Sequence, residues 1–315
     1  MKTLLSLSLL PRRRGFLALA CAEMMFLTLA APLHAQAPTK IFVASFGSDA
    51  NSGSRGSPKR TFQAAHDAVA AGGQIVVLDT AGYGQLTITK SLAVTVPPGV
   101  NGFVTVTDSS LDGIAINAGS TDTVSLRGLI VEYSGPQNFS DSNTGGIYTT
   151  SVGNLAIEDC TVRNFYNGIV CAAVVSTNLY VHNCTVRGCN TVGLSISANT
   201  ADAAINVFAT VADCRIEANQ NDGVFVSSQN GTTDVTLTGC FVSGNLGIGI
   251  LASGLSAHDV VRVSDCTITS NAYGVVVGNN GQMLSRGNNT LENNYTVQNP
   301  NSYNTNTFPA TYSAK

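Results

Sequence analysis

Five of the eight cysteines in this chain return inside near-copies of one phrase: EDCTV at Cys160, HNCTV at Cys184, ADCRI at Cys214, TGCFV at Cys240 and SDCTI at Cys266. The spacings are 24, 30, 26 and 26 residues, and Leu129 in RGLIV and Asn289 in NNTLENN extend the series at both ends. A period of this length constrains the fold strongly. Each copy is a small unit that can bury its apolar face only against its neighbours, so the chain must stack its repeats.

Each repeat can be counted from its anchor at Leu129, Cys160, Cys184, Cys214, Cys240, Cys266 or Asn289. Two residues later stand Val131, Val162, Val186, Ile216, Val242, Ile268 and Leu291, and three residues earlier stand Leu126, Ile157, Val181, Val211, Leu237 and Val263. Period-two alternation of this kind marks strands with one buried face. The residue before the anchor is Gly128, Asp159, Asn183, Asp213, Gly239, Asp265 or Asn288, types that tolerate a left-handed bend. A second corner is marked by Asn219, Asn245, Asn271 and Asn294, after which a glycine restarts an apolar strand, as in Gly168-Ile169 and Gly193-Leu194. About three short strands per repeat and no helix predict a parallel β-helix, with cysteines laddered inside and asparagines laddered at a turn.

The one helical stretch is Thr61–Gly73, TFQAAHDAVAAGG, with Thr61 placed to cap it and Phe62, Ala65, Val69 and Ala70 near one face. A helix there would cover the open first coil. The opening from Ile41, with Gly47, Asp49, Asn51, Gly53 and Pro58 in a G-x-D-x-N-x-G loop before that helix, resembles the start of secreted bacterial right-handed parallel β-helix proteins of the pectate-lyase-like superfold. The resemblance covers roughly Ile41 to Asn294. It implies an all-β right-handed solenoid with a short capping helix. It does not choose among the lyases, hydrolases, epimerases, adhesins and tailspikes that share the superfold.

Charged residues make up 11% of the chain, against about 25% in ordinary domains. With no basic stripe, nucleic acid is excluded as a partner. The N-terminus reads as an export signal over residues 1–35, with basic residues before an apolar run that ends in Leu33-His34-Ala35. Arg13-Arg14-Gly15-Phe16-Leu17 fits the twin-arginine pattern, the alternative being an ordinary secretory signal. Glu23 interrupts the apolar run, so stable membrane insertion is not expected. Cleavage would remove Lys2, Arg12, Arg13, Arg14 and Glu23 and move the net charge from −3 to −6. The expected organisation is a signal at 1–35, a β-helix at 36–297 and a polar tail or cap at 298–315. The expected location is periplasmic, secreted or at the cell surface, and a monomer is expected.

Seven cysteines would remain, too many to pair completely. Their periodicity predicts a ladder of buried thiols rather than a disulfide framework, because Leu129 and Asn289 occupy the same column as a packing position would.

Catalytic signatures of polygalacturonase-like hydrolases, alginate-epimerase-like modules and the R-x-P-x-x-R pectate lyases are absent. So are nonapeptide calcium repeats and zinc spacings. What remains is a concentration of charge. Two residues before the anchor, pointing outward, are Arg127, Glu158 and His182; three residues after it, also outward, are Glu132, Arg163, Arg187 and Glu217. Later coils carry small neutral residues at both positions. Stacking would bring neighbours in each column to about 5 Å. Read functionally, this is a polysaccharide or glycan site, with Glu158 and His182 as acid or base and Arg163 and Arg187 as uronate ligands or, for one of them, the base of a lyase. Arg127, Glu132, Glu217, Tyr133, Tyr166 and Tyr180 would bind substrate. The long insertion Ser134–Gly146 starts beside this cluster, and Phe139, Tyr148 and Phe165 add rings near it; the second insertion, Ala198–Ile205, falls at another corner. The competing reading is a salt-bridge ladder that contributes little per pair. Function therefore divides between a polysaccharide lyase or hydrolase and a non-catalytic, adhesin-like binding solenoid. Asp49 and Asn51 are candidate oxygen ligands for calcium, or else a turn that binds its own backbone. His66 is expected at the surface of the helix.

Overall fold

Alternating strands that cannot fold singly hide their apolar half by laying like residues on like residues, coil over coil. The computed structural model has this arrangement and describes residues 37–136, 144–200, 205–295, 303–305 and 308–312, with backbone alone at 255–258 and 303–305. The expected export signal at 1–35, residues 137–143 with Phe139, residues 201–204 and most of the tail 298–315 lie outside the described residues.

Three parallel ladders are formed. The first stacks Leu86–Ile88, Ile114–Asn117, Gly145–Ser151, Asn167–Ala173, Val192–Ala198, Asp222–Ser228 and the opening halves of the long strands Ile248–Ser264 and Tyr273–Ser285. The second stacks Lys40–Val43, Gly73–Val77, Leu92–Thr95, Thr123–Arg127, Asn154–Glu158, Thr177–His182, Ile205–Ala212, Gly231–Thr238 and the closing halves of the same two long strands. The third holds nine short strands, from Ala81–Gly82 to Thr290–Glu292. Ile157 lies on Val181 and Val181 on Val211; Val162 lies on Val186 and Val186 on Ile216. The inward columns merge into one apolar core running from Ile41 to Met283. The chain is a parallel β-helix, as the repeats predict.

The corners follow residue chemistry. Between the second and third ladders, Asp159, Asn183, Asp213 and Asp265 have φ of 55°, 51°, 54° and 53°. In the last repeat the left-handed residue is Gly287, at 83°, rather than Asn288. At the next corner the bend falls on Asn164, Gly188, Ala218, Gly244, Ser270 and Asn293, one residue ahead of the asparagine column. A Cβ on Gly168 would lie 2.3 Å from the Gly193 carbonyl oxygen, so the coils can approach there only because the position is glycine.

The capping helix α1 is shorter than its sequence pattern, spanning Phe62–Ala68, because Val69 is extended (φ −77°, ψ 146°). Thr61 Oγ1 accepts from the Ala64 amide, as an N-cap should. His66, expected at the surface, is buried. Its Nε2 accepts from the Thr89 amide, which leaves Nδ1 to donate to Asp67. Asp49 also belongs to the helix start: Oδ1 accepts from the Arg60 and Thr61 amides and Oδ2 from the Thr61 hydroxyl, while Asn51 donates to the Pro58 carbonyl. Both side chains are used by the turn and the helix cap.

All seven described cysteines are free and buried. The thiols of Cys160, Cys184, Cys214 and Cys240 donate back to the carbonyls of Leu126, Ile157, Val181 and Val211 at 3.4–3.8 Å, one coil below. The five anchor cysteines are therefore a packed column of thiols, as the periodicity predicts.

Candidate functional site

The two charge columns lie on different ladders. Arg127, Glu158 and His182 end successive strands of the second ladder, whereas Glu132, Arg163, Arg187 and Glu217 lie on the third. The left-handed corner at Asp159, Asn183 and Asp213 separates them. Each column finds partners locally. Arg127 pairs with Asp159 at 2.9 Å and His182 with Asp213 at 3.3 Å, both partners being corner residues of the next coil. Arg163 Nε donates to Glu132 at 3.0 Å across one rung, and Arg215 reaches Glu217 at 2.7 Å within its own strand. Asn183 donates to Asp159 at 2.8 Å, and that bond, with the Arg127 guanidinium, holds the Asp159 carboxyl below the usual range. Arg187 is exposed, with no ion pair among the described residues. The structure does not bring Glu158 and His182 together with Arg163 and Arg187 in one cleft.

The aromatic candidates also separate. Tyr133, expected to bind substrate, belongs to the core at 3% exposure. It continues the inward alternation Leu129–Val131–Tyr133, packs 6.0 Å from the buried Phe165 ring and donates to the Pro136 carbonyl. Tyr166 sits at the turn after the third ladder, half-buried. Tyr180 alone stands out on the second ladder, 38% exposed, with His182 stacked on its ring at 5.7 Å and 15°.

Around Tyr180 the outer face of the second ladder is hollowed into a groove of about 620 Å³. Two outward columns make it. One runs Thr123, Asn154, Asn178, Phe208, Asp234; the other passes Ala156, Tyr180, Thr210, Thr236, Arg262. Small side chains at Ala156, Thr210 and Thr236 leave the hollow between the rings and the charges. Phe208 is 51% exposed, a large apolar ring on an outward position. Asn178 Nδ2 donates to Asn154 Oδ1 at 3.0 Å, and Asn154 Nδ2 reaches Thr123 Oγ1 at 3.4 Å. The next position up is Phe208, whose side chain has no proton to donate, so this amide ladder stops at Asn178. Arg262 and Asp234 form an ion pair at the far end. Six consecutive strands spaced at ~4.8 Å give the groove a length of about 24 Å.

The concentration of charge in the sequence points to the columns beside the corner and not to Phe208, Asn154, Asn178, Asp234 and Arg262. The available signal was Phe208 itself: in INVFATVA the inward positions are Ile205, Val207, Ala209 and Val211, which leaves a phenylalanine on the solvent side.

Elsewhere burial pushes up the carboxyls of Asp112 and Asp222, as it does that of the sealed Asp259. Asp112 and Asp222 each accept a backbone amide of the next coil, from Gly145 at 2.7 Å and Ile248 at 2.8 Å. Four rungs separate them, about 19 Å, too far to share a glycosidic bond between an acid and a base. Among the described residues no group of three or more His, Cys, Asp or Glu side chains gathers to hold a metal ion.

The family model described as "Right handed beta helix region" matches residues 100–260. Among solved structures the chain is similar to pectate lyase Pel9A, with 15% identity, a TM-score of 0.53 and coverage of 86% of this chain and 80% of that one. It is also similar to the A-module of mannuronan C-5 epimerase AlgE4 from Azotobacter vinelandii (10% identity, 77% and 91% coverage, TM-score 0.36). A third similar structure is the GH136 lacto-N-biosidase of Eubacterium ramulus (12% identity, 80% and 67% coverage, TM-score 0.30). No curated protein matches the sequence.

Proposed function

The chain belongs to the right-handed β-helix family, and on that footing we propose that it is an exported carbohydrate-binding solenoid whose glycan site is the groove on the outer face of the second ladder. The observation that carries this reading is the pair of exposed rings, Tyr180 and Phe208, set beside the unfinished Asn154–Asn178 amide ladder. A pyranose offers an apolar C–H face and a rim of hydroxyls; an aromatic surface next to fixed amides complements both at once. The groove is open and long, which suits a chain of several sugars better than a single small molecule. Pectate lyase, whose fold is shared, is named for a polysaccharide substrate, and this supports the class of ligand without supporting the reaction.

Binding is favoured over cleavage because the acid–base candidates do not converge. Glu158 and His182 flank the groove on the corner side, while Arg163 and Arg187 lie on the next ladder. A lyase or hydrolase needs those groups within hydrogen-bond reach of one scissile bond.

The test is affinity electrophoresis of the chain from residue 36 onward through gels containing a panel of polysaccharides, with mass spectrometry of the same mixtures for released fragments. Retardation by at least one polysaccharide without fragments is expected, and Phe208→Ala should weaken retention by about tenfold. Fragments that disappear in Glu158→Ala or His182→Ala would replace the binding reading by a catalytic one. Retention unchanged in Phe208→Ala would move the site off the groove.

A further inference from the structure

We infer that the groove selects uncharged glycan chains, and that the Asp234–Arg262 pair is what turns uronate-containing chains away; this rests on the reading of the groove as a glycan site. Arg262 is the only cation and Asp234 the only anion among the residues lining it, and they are bonded to each other, each about one third exposed. The basic side chains just outside the wall are engaged as well, Arg127 with Asp159 and His182 with Asp213. A sugar carboxylate entering the groove finds no unpaired cation there. It must either draw Arg262 away from Asp234 or lie beside the Asp234 carboxylate, where like charges repel. The chain's net charge of −3 adds to the same preference at longer range.

Hydroxyls meet none of these costs. Asn178 Oδ1, at the interrupted end of the amide ladder, can accept from one. The second amide protons of Asn154 and Asn178 can donate to others, and Thr210 and Thr236 line the remaining floor. Tyr180 and Phe208 supply the stacking surface, which is indifferent to charge. Discrimination thus lies in the ion pair and affinity in the rings, and the two can be separated by mutation.

The experiment is calorimetric titration of the chain from residue 36 onward with neutral oligosaccharides (gluco-, manno- and xylo-series) and with oligouronates (galacturonate and mannuronate series) of matched length at low salt. The parent should bind at least one neutral series, and every uronate series about tenfold or more weaker. Tyr180→Ala and Phe208→Ala should each lower neutral affinity by about tenfold. Asp234→Asn releases Arg262 and should raise uronate affinity by about tenfold relative to neutral affinity, so the ratio between the two classes reports the ion pair. Asp234→Ser, which supplies a small polar side chain like those of its neighbours Thr210 and Thr236, serves as a second variant should the first fold poorly.

Parent binding of uronates as tight as of neutral chains, still weakened by Phe208→Ala, overturns the selectivity and leaves the groove reading standing. Binding of neither class overturns both. A dimer seen by sedimentation velocity that Phe208→Ala disperses would assign the face to a second copy of the chain and overturn the inference as well.

Discussion

At the scale of single residues, Asp259 is the costly group among the described residues. Asp259 is sealed from solvent, and its two carboxylate oxygens have no hydrogen-bond partner among the described residues. It sits in an inward column on Thr233, where Gly281 of the next coil and Gly254 nearby leave it room. Burial pushes its pKa up, with Ser228 and Thr233 close by and offsetting part of the shift. The folded state therefore holds this proton more tightly than the unfolded chain does. Stability is fullest below the ordinary carboxylate range and falls as pH rises from there toward the raised folded-state value. Asp259→Asn removes that dependence. Urea midpoints measured from pH 4 to pH 8 should show the variant gaining on the parent as pH rises. A difference that stays constant with pH, or that moves in the parent's favour as pH rises, would mean that Asp259 is ionised and satisfied in the fold.

At the scale of elements the buried asparagine column shows how a corner is held without disulfides. Asn219, Asn245 and Asn271 each pass an amide proton to the Oδ1 of the next asparagine, at 2.8–3.0 Å, and the column ends at Asn294. That same oxygen also accepts a backbone amide of the coil below: Cys189 for Asn219, Asn219 for Asn245, Asn245 for Asn271 and Asn271 for Asn294. The second amide proton of Asn245, Asn271 and Asn294 goes to the carbonyl of Ile216, Val242 and Ile268. Truncating one member leaves several buried groups of two coils without partners. Asn271→Ala is expected to cost roughly 2–4 kcal/mol, read as a lowered urea midpoint. The exposed pairs Arg127–Asp159 and Arg215–Glu217, half open to solvent, are expected to contribute far less. A loss at Asn271→Ala no larger than at Arg127→Ala would reject the ladder as the main fastening of that corner.

Over the whole molecule the coils share one core, and its thiols are shut inside it. Burial pushes Cys171 and Cys189 up to about 12. In the anchor column contact with neighbouring thiols, together with burial, pushes Cys184 and Cys266 in the same direction. All seven described thiols are closed off from solvent, and a thiol that a reagent cannot reach does not react. At neutral pH the folded protein should leave all seven described cysteines unreactive toward a thiol-specific reagent. All seven should react together once urea unfolds the core, since no coil is stable without its neighbours. A thiol that reacts quickly in the native state, or thiols lost to disulfide in freshly purified protein, would contradict the sealed column.

The strands, both corners and the inward columns were legible in the sequence because each is local. Alternation within five residues fixes which side chains face inward, and a bend residue marks each corner whatever the rest of the chain does. Cys160 to Cys266 could be placed in a buried column, and Asn219 to Asn294 in a turn, from spacing alone. The sequence also put Arg127, Glu158 and His182 in one column and Glu132, Arg163 and Arg187 in another. Only the tertiary structure decided that these columns lie on different ladders, because the angle a chain turns at Asp159 or Asn183 is set by how two sheets pack across the core. The groove likewise belongs to the stack and to no single repeat. The Asn178–Tyr180 strand, Phe208 and Arg262 come from three different coils, and the space between them exists because Ala156, Thr210 and Thr236 are small. Charge can be read from a sequence, but an empty volume can be read only after the coils are stacked.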